Sequence, residues 1–163
     1  MQPEVKQFLE QHQISFILYE HPAVFSVDQA DIYCKHIPGM HCKNLFLKEK
    51  ESKQPNYYLV VMNAYKRLNI NHLAKILKLK KLTFGSEEEL LHYLKLTPGS
   101  VSPLGLINDQ HHAVKLIIDQ EVWDAKQVNF HPNINTASLE FTQEQFHHLI
   151  NLFENQKNIV KLD

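Results

Sequence analysis

A chain of 163 residues with 17 Lys+Arg against 18 Asp+Glu carries a net charge of −1 at neutral pH, which argues against a non-specific nucleic-acid binder. Its length suits one domain with its own core, and 44% hydrophobic with 21% charged residues is ordinary globular composition. No run approaches the roughly 20 apolar residues of a membrane span, and the opening MQPEVKQFLEQ lacks the basic-then-apolar order of a signal peptide.

Pro3 to Gln13 reads as a first helix, with Pro in the first turn and Val5, Phe8 and Leu9 at helical spacing. Ile14–Glu20 is rich in β-branched and aromatic residues and reads as a strand. Ser26-Val-Asp-Gln29 has capping-box form, so a short helix is expected to about Lys35, broken by Pro38-Gly39. Strands follow at Asn44–Lys48 and Tyr57–Asn63, joined by the polar stretch EKESKQPN as a hairpin connection. Asn69–Leu79 places Ile70, Leu73, Ala74 and Leu77 on one helical face. Leu82–Phe84 is a short strand, and Ser86-Glu-Glu-Glu89 caps a helix ending near Leu96. Thr97–Gly105 is turn-rich. Strands are expected at Leu106–Asn108, Ala113–Asp119, Val128–Phe130 and Ala137–Phe141. Thr142-Gln-Glu-Gln145 caps a last helix striped by Phe146, Leu149, Ile150 and Phe153. Because helices and strands alternate irregularly, the pattern describes one α/β domain with a mixed sheet.

Charge is unevenly placed. Residues 1–81 hold 12 of the basic and 7 of the acidic residues, the remainder 5 and 11, which hints at a polyanionic partner for the first half. Two cysteines, Cys34 and Cys42, make no disulfide framework, so a reducing cytoplasm is the expected compartment.

Four segments are polar or glycine-bearing where packing alone would not ask for it: His21–Ser26, His41–Asn44, Thr97–Gly105 and Asn129–Asn133. Lys43 stands at the entrance to the apolar run LFL, where its ammonium either meets an anionic group in a cleft or snorkels to solvent. Thr97–Gly105 gathers two of four glycines and two of seven prolines, a loop stiff at the prolines and open to close backbone approach at the glycines. Its N–H groups are candidate oxyanion donors. His131, at a strand end before Pro132, is a candidate acid, base or hydrogen-bond donor, and His21, also before proline, is ambiguous in the same way. The histidines near Cys42 lack any recognised metal-ligand spacing, so no metal is expected. A Cys42 nucleophile draws no support, since adjacent strand residues point to opposite faces.

Taken in order, HPAVFSVDQA, HCKNLFLKE, TPGSVSPLGLIND with its G-x-x-x-P element from Gly99 to Pro103, and NFHPNINTAS resemble the motifs of the YbaK/prolyl-tRNA-synthetase-associated editing-domain family. The resemblance covers nearly the whole chain and is strongest to free-standing alanyl-tRNA(Pro) deacylases. It implies one editing domain over residues 1–163, with a mixed, mostly antiparallel sheet and surrounding helices. The implied activity is hydrolysis of the ester of mischarged Ala-tRNA(Pro), with no cofactor and no metal. The implied partners are the tRNA(Pro) acceptor end and prolyl-tRNA synthetase, with no membrane. Lys43, Asn44, Gly99, Ser100, Pro103 and His131 are the implied catalytic positions. His21, Val24, Phe25, Ser26, Ile32, Phe46 and Gly105 are the expected substrate contacts, four of them (Val24, Phe25, Ile32 and Phe46) either as an apolar wall rejecting proline or as core. The sequence departs from the family at NAYKRLNI, where an acidic-basic pair is usual, so the contacts made there are not carried over.

Overall fold

The computed structural model describes all residues, Met1–Asp163. In chain order the elements are α1 (Pro3–Gln11), β1 (Ile17–Glu20), α2 (Val27–Cys34), β2 (Met40–Glu49), β3 (Tyr57–Asn63), α3 (Ile70–Ile76), β4 (Leu82–Phe84) and α4 (Glu87–Leu94). A 3-10 helix (Pro103–Asn108) follows, then β5 (Val114–Asp119), α5 (Gln120–Asp124), β6 (Gln127–Phe130), β7 (Ala137–Thr142), α6 (Gln143–Leu152) and β8 (Lys157–Val160).

The strands form one mixed sheet in the order β1-β7-β6-β2-β3-β5-β8, with β4 also on β2. Four of the seven pairings are antiparallel, as expected. Both faces of its centre are covered. On one face Phe46, Leu59, Val61, Leu116 and Ile118 pack against α1, α4 and α6; on the other Leu47, Val60, Met62 and Ile117 meet Leu73 and Ala74 of α3. Two-sided burial explains why β3 reads YYLVVM without a polar alternation.

Helix starts follow their capping signals, with one variation. Ser86 and Glu89 close a full capping box on α4. At α2 the Ser26 hydroxyl accepts from Gln29 N–H (3.1 Å), but the Gln29 side chain accepts from Phe25 N–H (2.7 Å) instead of Ser26. At α6, Gln145 reaches back to Ser15 N–H (2.8 Å), tying the approach to β1 onto that helix.

Three expectations are corrected. Residues 106–108 are not a strand: Ser102 Oγ accepts from Leu104 N–H (3.1 Å), Pro103 fits the first helical position, and Gly105 N–H donates to Ser102 O (3.0 Å), which starts a 3-10 helix. Strand β2 is ten residues long, so Lys43 lies inside it and not at its entrance. Strand β1 is shorter than expected, and α5 and β8 carried no expectation.

The feature that positions the site is a gap in the sheet. One edge of β2 pairs with β3 from Cys42 to Lys48. The other edge pairs with β6 only at Met40 and His41, and with β4 only from Leu47 to Glu49. Ala64 N–H donates to His41 O and Gly85 N–H to Phe46 O, so odd-numbered residues of β2 turn their peptide groups to β3 and even-numbered ones to the other edge. Asn44 therefore presents its N–H and C=O to the gap, where no strand answers them.

Candidate active site

A cavity of about 180 Å³ opens at this gap. It brings together Lys43 and Asn44 from β2, His131 after β6, Gly99 from the loop before the 3-10 helix, and Val24, Phe25 and Ser26 before α2. Four segments far apart in sequence meet at one place. Because the cavity sits on a strand edge and not on a face, Cys42, Lys43 and Asn44 all border it despite their alternation.

Lys43 is half-buried and takes part in none of the five ion pairs in the chain. Burial lowers its pKa below the usual lysine range, and the nearby Arg67 charge lowers it further. An ammonium held this way is ready for an anionic or developing anionic group. Beside it, Asn44 Oδ1 is buried without a partner.

The loop opposite supplies backbone donors. Gly99 has φ +86°, a left-handed conformation that a side chain disfavours, and a Cβ there would meet only Phe25, at 3.9 Å. Ser100 N–H is used by Thr97 O (3.1 Å), whereas Gly99 and Val101 N–H make no hydrogen bond within the chain. Gly105 is a packing glycine: a Cβ would come within 2.6 Å of Leu96.

His131 Nδ1 lies 2.8 Å from Ala137 O, so Nδ1 carries the proton and donates, leaving Nε2 with a lone pair. Burial lowers its pKa; the Ala137 carbonyl works the other way, and His21 adds to the lowering. The neutral imidazole is therefore favoured. His21 stands behind the cavity wall, its ring centroid 5.6 Å from that of His131.

Other expected positions lie elsewhere. Ser100, Pro103 and Gly105 are buried and border the packing under the 3-10 helix, not the cavity. Ile32 is 74% exposed on the outer side of α2, and Phe46 is in the core, stacked on Tyr57 at 5.6 Å. Neither belongs to the cavity's apolar wall, which is made by Val24, Phe25, Val27, Ala30 and Val101. Ser138, Asn129, Cys34 and Tyr65 also line the cavity and were not expected. Asn129 and Ser138 carried a sequence signal, as the first and last residues of the motif NFHPNINTAS. The Tyr65 hydroxyl donates to Asp31 across the rim.

The cysteines are unsuited to attack. Burial pushes the Cys42 thiol up to about 12, and it donates weakly to Met40 O at 3.6 Å. Burial raises Cys34 as well. No group of three or more His, Cys, Asp or Glu is placed to hold a metal ion.

The sheet is thus opened at one strand edge, and a lysine, a carboxamide, an imidazole and a loop with unbonded N–H groups line the opening. The chain belongs to the aminoacyl-tRNA editing domain family, whose model matches residues 21–149. It is 30% identical over 154 residues to the prolyl-tRNA editing protein ProX of Acetoanaerobium sticklandii, covering 94% of this chain and 93% of that one. It is 34% identical over 150 residues to prolyl-tRNA synthetase associated domain-containing protein 1 of Xenopus laevis, covering 90% and 88%. The fold is shared with the crystal structure of hypothetical protein APE2540, at a TM-score of 0.74 and 18% identity over 96% of this chain and 98% of that one. No helix is long and apolar enough to cross a membrane.

Proposed function

We propose that this protein is a trans-acting deacylase that hydrolyses the ester joining alanine to tRNA(Pro), correcting an error of prolyl-tRNA synthetase in the cytoplasm. The observation that carries this reading is the convergence of Lys43, Asn44, His131, Gly99 and Val101 on one small cavity, the last two with N–H groups that make no hydrogen bond within the chain.

An aminoacyl ester is already activated, so hydrolysis needs positioning and charge stabilisation more than a strong nucleophile. A water, oriented by the vicinal hydroxyl of the terminal ribose, adds its oxygen to the carbonyl carbon. The carbonyl oxygen gains negative charge, which on this reading the Gly99 and Val101 N–H groups and the Lys43 ammonium stabilise. His131 Nε2 accepts the proton given up by the attacking water. Collapse of the tetrahedral species breaks the bond to the ribose oxygen, which takes the proton held by His131 Nε2 as it leaves and returns the imidazole to its neutral form. Asn44 orients the substrate through its amide and its outward peptide group.

Selectivity follows from size. A synthetase pocket shaped for proline admits the smaller alanine, and a second site that admits alanine but not the proline ring completes a double sieve. The wall of Val24, Phe25 and Val101 is where the ring would clash. The test is deacylation of a panel of charged tRNAs. Ala-tRNA(Pro) should be cleared far faster than Pro-tRNA(Pro). Equal rates overturn size exclusion, clearance of Cys- or Ser-tRNA with alanine untouched assigns another substrate, and binding without turnover makes the protein a non-catalytic module.

A further inference from the structure

Ser138 has no assigned role, and His21, expected among the substrate contacts, does not line the cavity, yet hydrogen bonds link His21 through Ser138 to His131. His21 Nδ1 lies 2.9 Å from Pro22 O, a group that only accepts, so Nδ1 carries the His21 proton. His21 Nε2 is then an acceptor, and its partner at 3.0 Å is Ser138 Oγ, whose hydroxyl must donate. With its proton committed to His21, the Ser138 oxygen turns a lone pair toward His131 Nδ1, 3.4 Å away, adding a second, weaker acceptor for the N–H that also donates to Ala137 O at 2.8 Å. All the donors point the same way, from His131 through Ser138 and His21 to Pro22. The register fixes this arrangement: β6 ends at Phe130, so His131 runs beside Ser138 of β7, while β1 pairs Tyr19 with Ser138 and delivers His21 to the same spot. Ser138 is 3% exposed, so solvent does not replace its partners.

We propose that His21 and Ser138 are positioning residues for His131, a one-way hydrogen-bond chain that prevents the Ser138 hydroxyl from donating into Nδ1 and so keeps the Nε2 lone pair on the cavity side. The catalytic part of this inference rests on the deacylase reading; the tautomer part does not. Without an acceptor at His21, the Ser138 hydroxyl is free to turn to His131 Nδ1. That contact competes with the Ala137 carbonyl for Nδ1 and raises the share of the opposite tautomer, with the proton on Nε2 where it blocks the base.

The test uses the full chain and four variants, His21→Ala, His21→Gln, Ser138→Ala and Ser138→Thr, each checked for an unchanged melting transition. Nitrogen-15 spectra of the free protein read the His131 tautomer, and single-turnover deacylation is measured beside tRNA affinity. In His21→Ala a population with the proton on Nε2 should emerge and turnover should fall about tenfold, the worth of one hydrogen bond, with tRNA affinity unchanged. His21→Gln, whose side-chain oxygen accepts from Ser138, should restore both, and Ser138→Thr should behave as the parent. Ser138→Ala should fall less than His21→Ala, because no hydroxyl is left to donate wrongly. A His131 that stays protonated on Nδ1 alone in His21→Ala overturns the proposal, whatever the substrate. A shifted tautomer in a protein that deacylates nothing retains the chain and overturns the deacylase reading instead. A loss in His21→Ala that appears as weaker tRNA binding makes His21 a substrate contact and overturns the positioning role.

Discussion

Lys43 keeps a charge in a half-buried place without a carboxylate to meet it, a cost that a bound ligand would offset. Lys43→Ala should leave the melting temperature unchanged or slightly raised, because it removes a half-buried charge that no carboxylate meets. Single-turnover deacylation should fall a hundredfold or more, matching the roughly 2.7–4 kcal/mol of a lost oxyanion donor. Lys43→Arg should not restore it, since the longer planar fork does not fit a space shaped for an ammonium. A second prediction is the pH profile. Burial holds His131 below the ordinary histidine value of about 6.5, so the base stays unprotonated on the acid side of it and the acid limb should lie below that pH. The folded state then binds fewer protons than the unfolded, so the His131 contribution to stability also declines as pH falls below about 6.5. Lys43 is lowered too, and its deprotonation should set an alkaline limb below its ordinary range of about 10.4. His131→Gln should remove the acid limb; an acid limb centred above 6.5 contradicts the assignment. The cavity residues legible in the sequence were Lys43, Asn44, Gly99 and His131, together with Val24, Phe25 and Ser26 from the segment before α2. Ser138 closes the motif NFHPNINTAS, but local spacing gives no sign that it faces His131. Ile32 and Phe46 were misplaced because α2 is apolar on two sides and β4 covers Phe46 through Gly85, neither of which local spacing reveals.

At the scale of elements, Glu89 binds three of them into one unit. It closes the capping box of α4, its carboxylate takes Lys48 Nζ of β2 at 2.9 Å, and it accepts from the Tyr57 hydroxyl of β3. Burial works against its charge, but the hydrogen bonds from Tyr57, Lys48 and Ser86 prevail and hold it at about 2. Its folded value lies below the unfolded one, so it stabilises fully above about 4.3 and this contribution is lost as pH falls toward 2. Glu89→Gln should cost roughly 2 kcal/mol in urea unfolding at pH 7, and the difference from the parent should shrink toward zero by pH 2. A constant difference across that range would show that packing, not charge, is responsible. Capping signals of this kind are why the starts of α2, α4 and α6 were readable in advance. The five-residue α5 and four-residue β8 were not, being too short for periodicity to emerge. Residues 106–108 misled for a related reason: an apolar triplet has no period, and the side-chain cap at Ser102 decides its geometry.

Across the whole molecule, the sequence asymmetry in charge becomes a surface. Lys50 N–H donates to Lys81 O (3.0 Å), joining two turns that carry Lys50, Lys53, Lys78, Lys80 and Lys81, all exposed and none in an ion pair. This end of β2 is about 20 Å from Lys43, six residues at about 3.3 Å each. If the acceptor arm lies here, tRNA affinity should fall with salt, and reversing Lys78, Lys80 and Lys81 together should weaken binding and flatten the slope by about 0.7–0.9 for each phosphate no longer neutralised. Unchanged affinity in the triple reversal removes this end from the interface. The gap in the sheet has a consequence of a different sort. The outward N–H and C=O of Asn44 belong to the main chain, so in solution they are hydrated, and a ligand that enters exchanges hydrogen bonds as well as filling volume. A hydrocarbon of the right shape would strand both groups and bind poorly, whereas an amide or ester replaces water like for like. Side-chain substitution cannot remove this requirement, because every residue except proline supplies the same two groups. The walls can be recut by mutation, but the demand for a peptide-like guest is set by the backbone.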